Sequence, residues 1–103
     1  MKRRIEAAVA FIGEDLICHL AKALARARAL HPEFAASALH GVNVILEEAQ
    51  ELWEASCTES QERQNAEATD VVVTGIRFLR GEYTEEGRRG LEQIFVFDED
   101  LDS

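Results

Sequence analysis

The stretch ILEEAQELWEASCTESQERQNAEATDVVVTGIRF, residues 45–78, decides the fold. It sets a Glu-Glu-x-x-Glu cluster on one predicted helix and a Glu-x-x-Asp pair on the next, with 15 residues between Glu51 and Glu67. Residues three apart on a helix lie on the same side, so Glu48 pairs with Glu51, and Glu67 with Asp70. Antiparallel packing of the two helices would make these four carboxylates converge. Gathered like charges raise one another's pKa and cost stability unless something positive sits among them. A hard divalent cation suits the place. Magnesium takes carboxylate oxygens, keeps several waters and is commonly shared with substrate phosphates, which points to phosphate chemistry.

Advancing about 100° per residue along a predicted helix over 37–56 gathers Leu39, Val42, Ile45, Leu46, Ala49, Leu52 and Trp53 into one apolar arc. Trp53 is therefore expected in the core. His40, Val44, Glu47, Glu48 and Glu51 lie beside that arc, and Asn43 lies near Glu47 but further round. Glu48 and Glu51 border the apolar side and should point into a seam between helices. SCTESQER, residues 56–63, reads as a loop in which Thr58 or Ser60 caps the next helix. That helix, predicted over 62–80, has an apolar arc of Ala68, Val71, Val72, Gly75, Phe78 and Leu79. Arg63, Glu67, Asp70, Thr74 and Arg77 form the adjoining stripe. Three consecutive valines lower helix propensity, a cost that burial on several sides would outweigh.

Outward from this pair, Ile5, Val9, Ile12, Leu16, Leu20, Ala23, Ala27 and Leu30 step by three and four and predict a long helix over 3–30. Gly13 can bend or divide it, with Asp15 as a new start. Ala8, Phe11 and Ile17 widen the stripe beyond what one partner helix covers, so it is either a broad core face or a subunit interface. HPEFAAS, residues 31–37, is a connection, because Pro32 disfavours helix before it. A short fourth helix is predicted over 84–94, followed by an acidic tail, 95–103, in which Phe95 and Phe97 are candidate anchors.

The 103 residues make one domain, and a composition rich in Ala, Leu, Glu and Arg makes it all-α. Net charge is -9. Residues 1–30 carry six Lys/Arg against three acids, and residues 31–103 carry five against seventeen. So acidic a body argues against binding a nucleic-acid polymer, whose affinity comes chiefly from Lys and Arg on phosphates. Cys18 and Cys57 have neither metal nor disulfide spacing and fit a reducing cytoplasm. No stretch has the 18 or so apolar residues of a membrane span.

The pattern Glu47, Glu48, Glu51, then Glu67 and Asp70, within LHGVNVILEEAQELWEA and ERQNAEATDVVVTGIRFL, resembles the MazG-like superfamily of all-α nucleoside triphosphate pyrophosphohydrolases. Dimeric dUTPases and phosphoribosyl-ATP pyrophosphatase belong to the same superfamily. The resemblance covers roughly residues 37–80. It implies hydrolysis of an NTP or dNTP between the α and β phosphates to a monophosphate and pyrophosphate, with Mg2+ as cofactor and Mn2+ as a substitute. It further implies Glu48, Glu51, Glu67 and Asp70 as metal ligands and Glu47 as the residue that orients or deprotonates the attacking water. A homodimer or homotetramer whose helices complete one bundle is implied as well.

For these acids the alternative is a solvated helix face with i,i+4 partners, but no Lys or Arg occurs between Arg28 and Arg63. Arg63 and Arg77 are candidates for phosphate contact, with Arg63 equally placed to pair with Glu67. His40, Asn43 and Thr74 are candidates for lining the nucleotide pocket. The reading from another class is a catalytically silent acidic helical oligomer that binds a protein partner.

Overall fold

The computed structural model describes residues 2–90. Among these residues there are helices and no strands: α1 (Lys2–Ile12), α2 (Glu14–Leu30), α3 (Ala38–Thr58), α4 (Gln61–Leu79) and α5 (Glu85–Arg89). The predicted all-α class holds. None of these helices is long and apolar enough to cross a membrane. The predicted tail, with Phe95 and Phe97, and the last residues of the predicted fourth helix lie outside the described residues.

The long first helix is two helices. Gly13 breaks it with φ 115, a conformation that a side chain on Cα strongly disfavours, and α2 restarts at Glu14 with Glu14 and Asp15 in its first turn. Acids there complement the partial positive charge of a helix N-terminus.

The central hairpin is tighter than the sequence suggests, because α3 runs on to Thr58 and α4 starts at Gln61. The end of the predicted loop is closed by side chains. Ser60 Oγ accepts from the Arg63 N–H at 3.2 Å, and Gln64 Nε2 donates to the Glu59 carbonyl at 3.1 Å. Ser37 caps α3 by accepting from the His40 N–H, and Thr84 caps α5 by accepting from the Gly87 N–H. Caps of this kind satisfy donors that a helix start leaves without partners.

Helix α4 is central: it packs against α3 on one side and α2 on the other, whereas α1 touches α2 alone. His19 of α2 meets Thr69 of α4 at 3.0 Å, and Arg28 reaches Glu82 just past the end of α4, so α2 and α4 run in the same sense. The line of α3 that faces the hairpin seam is Gly41, Ile45, Glu48, Leu52 and Ala55, each buried or half-buried. Gly41 permits close approach at one end, since a Cβ there would stand 3.0 Å from the Phe78 ring and 3.2 Å from Phe34.

Three helices side by side form one layer, and one layer leaves broad faces uncovered. Among the described residues the fully buried apolar set is Phe34, Ala35, Ala55 and Val73. Trp53, expected in the core, is 64% exposed, and Leu39, Val42 and Leu46 are exposed on the same flank of α3. The seam takes only one edge of the predicted arc, Ile45 and Leu52, together with Gly41, Glu48 and Ala55, and no other described helix covers Leu39, Val42, Leu46 and Trp53. Val72 and Leu79 of α4 are likewise exposed, so the valine run is buried fully only at Val73.

Candidate metal centre

Glu48 lies midway along the seam line of α3, and the antiparallel hairpin sets it opposite Glu67 and Asp70 of α4. One carboxylate oxygen from each of Glu48, Glu67 and Asp70 lies within 4.8 Å of the other two. Two ligands on one magnesium ion, at about 2.1 Å each, stand up to about 4.2 Å apart. At up to 4.8 Å the three oxygens stand slightly wider than that span.

The protein leaves these acids short of partners. Glu67 is 4% exposed; its Oε1 takes a 2.6 Å ion pair from Arg63, and its Oε2 is buried with no hydrogen-bond partner. Glu48 Oε2 is in the same condition. A buried acceptor without a donor costs about 1–3 kcal/mol, more when it carries charge, so a cation placed here would relieve two such atoms at once. Burial pushes the Glu48 carboxyl up to about 7, and the charges of Glu51, Asp70 and Glu67, with a hydrogen bond to Glu51, push the same way. Asp70 is raised by partial desolvation of its carboxyl and by Glu67, against the opposing pull of Arg63.

The remaining sequence candidates divide. Glu51 stands beside Glu48 but outside the triad of convergent oxygens. With Asn43, Leu46, Glu47 and Gln50, it lies on an exposed face of α3. Glu47 is turned from the triad as its position in the helix requires. Arg63 realises the pairing reading: it bridges Glu59 at 3.2 Å and Glu67 at 2.6 Å and remains largely exposed at the rim.

Arg77 is corrected. Its Nε is held by Glu82 at 2.8 Å, its guanidinium lies 5.3 Å from the Phe34 ring centroid, and it is 3% exposed. That is an interior position joined to Glu82, with its Nη2 buried and without a hydrogen-bond partner, and not a rim cation beside the acids. Thr74 spends its hydroxyl proton on the Asp70 and Val71 carbonyls. His40 accepts the Ala36 N–H on Nδ1 at 3.0 Å and helps shape the start of α3, about 12 Å along the axis from Glu48 at 1.5 Å per residue.

Sequence reasoning missed Glu82, whose partner Arg28 is 54 residues away. Glu82 had no local signal. No family model, curated protein or solved structure matches the chain.

Proposed function

We propose that the protein is a magnesium-dependent nucleoside triphosphate pyrophosphohydrolase, converting an NTP or dNTP and water to the monophosphate and pyrophosphate. The observation that carries this reading is the convergence of Glu48, Glu67 and Asp70 oxygens together with the unpartnered, buried Oε2 atoms of Glu48 and Glu67. The carboxylate arrangement that gave the sequence its resemblance to MazG-like enzymes is consistent with it.

Glu48, Glu67 and Asp70 would hold the ion, with Glu51 completing the set from the adjoining turn. Magnesium bound there would neutralise charge on phosphate oxygens and make a coordinated water more acidic. The rest falls to the chain's own groups. Arg63, at the rim with most of its side chain in solvent, is in place to turn from Glu67 to a phosphate oxygen. Glu47, next to Glu48 on α3, would orient the attacking water and take its proton. The water oxygen attacks the α-phosphorus, the α–β anhydride bond breaks, and pyrophosphate leaves. Positioning and charge stabilisation dominate such transfers.

A second copy of the chain is part of the reading, in a cytoplasmic homodimer or homotetramer. Leu39, Val42, Leu46 and Trp53 form an exposed apolar flank on α3, and Ile5, Phe11, Ile12 and Leu16 are exposed on α1 and α2; contiguous apolar patches of this kind mark association surfaces. The test is calorimetric titration with magnesium or manganese, paired with pyrophosphate release from a nucleotide panel. Stoichiometric metal uptake and metal-dependent release support the enzyme. Absence of both leaves the acidic interaction module.

A further inference from the structure

The turn between α3 and α4 is fixed by its own bonds. The Glu59 N–H donates to the Ala55 carbonyl at 2.9 Å, the Glu59 carbonyl accepts from Gln64 Nε2 at 3.1 Å, and the Arg63 N–H donates to Ser60 Oγ at 3.2 Å. The backbones of Glu59 and Arg63 are thereby set in place relative to each other. On that frame the Arg63 guanidinium is taken at two ends: Nε pairs with Glu59 at 3.2 Å and Nη2 with Glu67 at 2.6 Å. The two acids differ in setting, the Glu59 side chain being 46% exposed and that of Glu67 5%. Among the described residues Arg63 is the only Lys or Arg paired with an acid of the triad. It occupies Glu67 Oε1, and Oε2 stays buried without a partner. A cation bound through Oε2 would share that carboxylate with the guanidinium, and two positive charges so close oppose each other. Release of the Nη2 end would still leave Nε on Glu59.

We infer that Glu59 is a positioning residue for the proposed reaction: it anchors Arg63 by Nε at the rim of the acidic seam, so that the Nη2 end passes from Glu67 to a phosphate oxygen. The inference rests on the pyrophosphohydrolase reading and adds a residue to it. Arginine suits this use, because its rigid fork offers donors to two acceptors at once. The anchor costs little ordering entropy, since the bonded turn already holds both residues. Loss of Glu59 has two consequences. Arg63 then rests on Glu67 alone and competes harder with a metal ion for that carboxylate. Once displaced from Glu67, it has no fixed place and meets a phosphate less often.

The experiment is a double-mutant cycle on the full chain with Glu59→Gln, Arg63→Gln and the two together. Magnesium affinity is read by calorimetry without nucleotide, and kcat and KM by pyrophosphate release from the ribo- and deoxyribonucleoside triphosphates. Arg63→Gln should tighten magnesium binding by about two- to fivefold, the span of an exposed pair's coupling, while raising KM. Glu59→Gln should loosen magnesium binding by a similar factor and raise KM, with kcat nearly unchanged. Added to Arg63→Gln, it should change neither quantity further, because the anchor has nothing left to hold. Additive effects would show each charge acting on its own through space and overturn the inference, as would a Glu59→Gln variant that moves neither quantity. Looser magnesium binding in Arg63→Gln would make Arg63 a fixed prop for Glu67 and overturn it too. These three results leave the pyrophosphohydrolase standing. No metal uptake and no release by the wild type removes the enzyme and the anchor together.

Discussion

Two buried acids on the same chain are treated in opposite ways. Glu82 is 0% exposed, and both its oxygens are met: Arg28 donates from Nε and Nη2 and Arg77 from Nε at 2.8 Å. Glu67, at 4% exposed, has one arginine at the solvent rim and one oxygen with nothing. Breaking a buried pair strands the remaining charge, which is why such pairs fix structure once they are in place. The first acid ties α2 to the end of α4, and the second faces two more carboxylates across a seam. The difference separates an acid that the fold satisfies at both oxygens from one that it satisfies at one.

The sharpest way to break that contrast is Asp70→Asn or Glu48→Gln. Either should reduce magnesium-dependent pyrophosphate release by at least about a thousandfold, the several kcal/mol of charge stabilisation that an ion supplies. The melting temperature without metal should stay level or rise, because a repelling charge is gone. Retained activity would end the assignment of the triad. Next in size, Glu82→Ala strands Arg77 in the interior and should cost about 3–5 kcal/mol in chemical denaturation. A loss below about 1 kcal/mol would place Glu82 with the surface pairs.

Ser60→Ala removes the cap that sets the start of α4 and should cost about 1 kcal/mol. Because it loosens the hairpin that holds Glu48 opposite Glu67, metal affinity measured by calorimetry should weaken as well. A further effect is pH-dependent. Glu48, raised from 4.5 to about 7, binds its proton more tightly folded than unfolded. Its contribution to stability is therefore greatest when it is protonated, and it falls as pH rises from about 4.5 to about 7 before levelling off. Thermal melts of the metal-free protein should show this decline, Glu48→Gln should reduce it, and saturating magnesium should oppose it.

Local chemistry was readable and long-range chemistry was not. Ser37 and Thr84 stand at predicted helix starts and Ser60 was one of two cap candidates; the structure has all three capping, while Thr58, the other candidate, ends α3. The convergence of Glu48 with Glu67 and Asp70 followed from spacing plus a short hairpin. Trp53 was misplaced because an apolar arc tells which residues avoid water without telling which partner covers them, and the seam took only the Ile45 and Leu52 edge of that arc, with Gly41 and Ala55. Arg77 was misplaced for a related reason. Its stripe on α4 was right, but its occupation by Glu82 depends on how the chain turns after Gly81, which no periodicity encodes.

Helix α1 leans on α2 and on no other described helix, and beyond the break at Gly13 it carries Phe11 at 92% exposed. A chain beginning at Glu14 should therefore keep the α3–α4 hairpin with both acid clusters while giving up Ile5, Phe11 and Ile12 of the exposed apolar surface. Cutting at that joint separates what the hairpin does alone from what association adds.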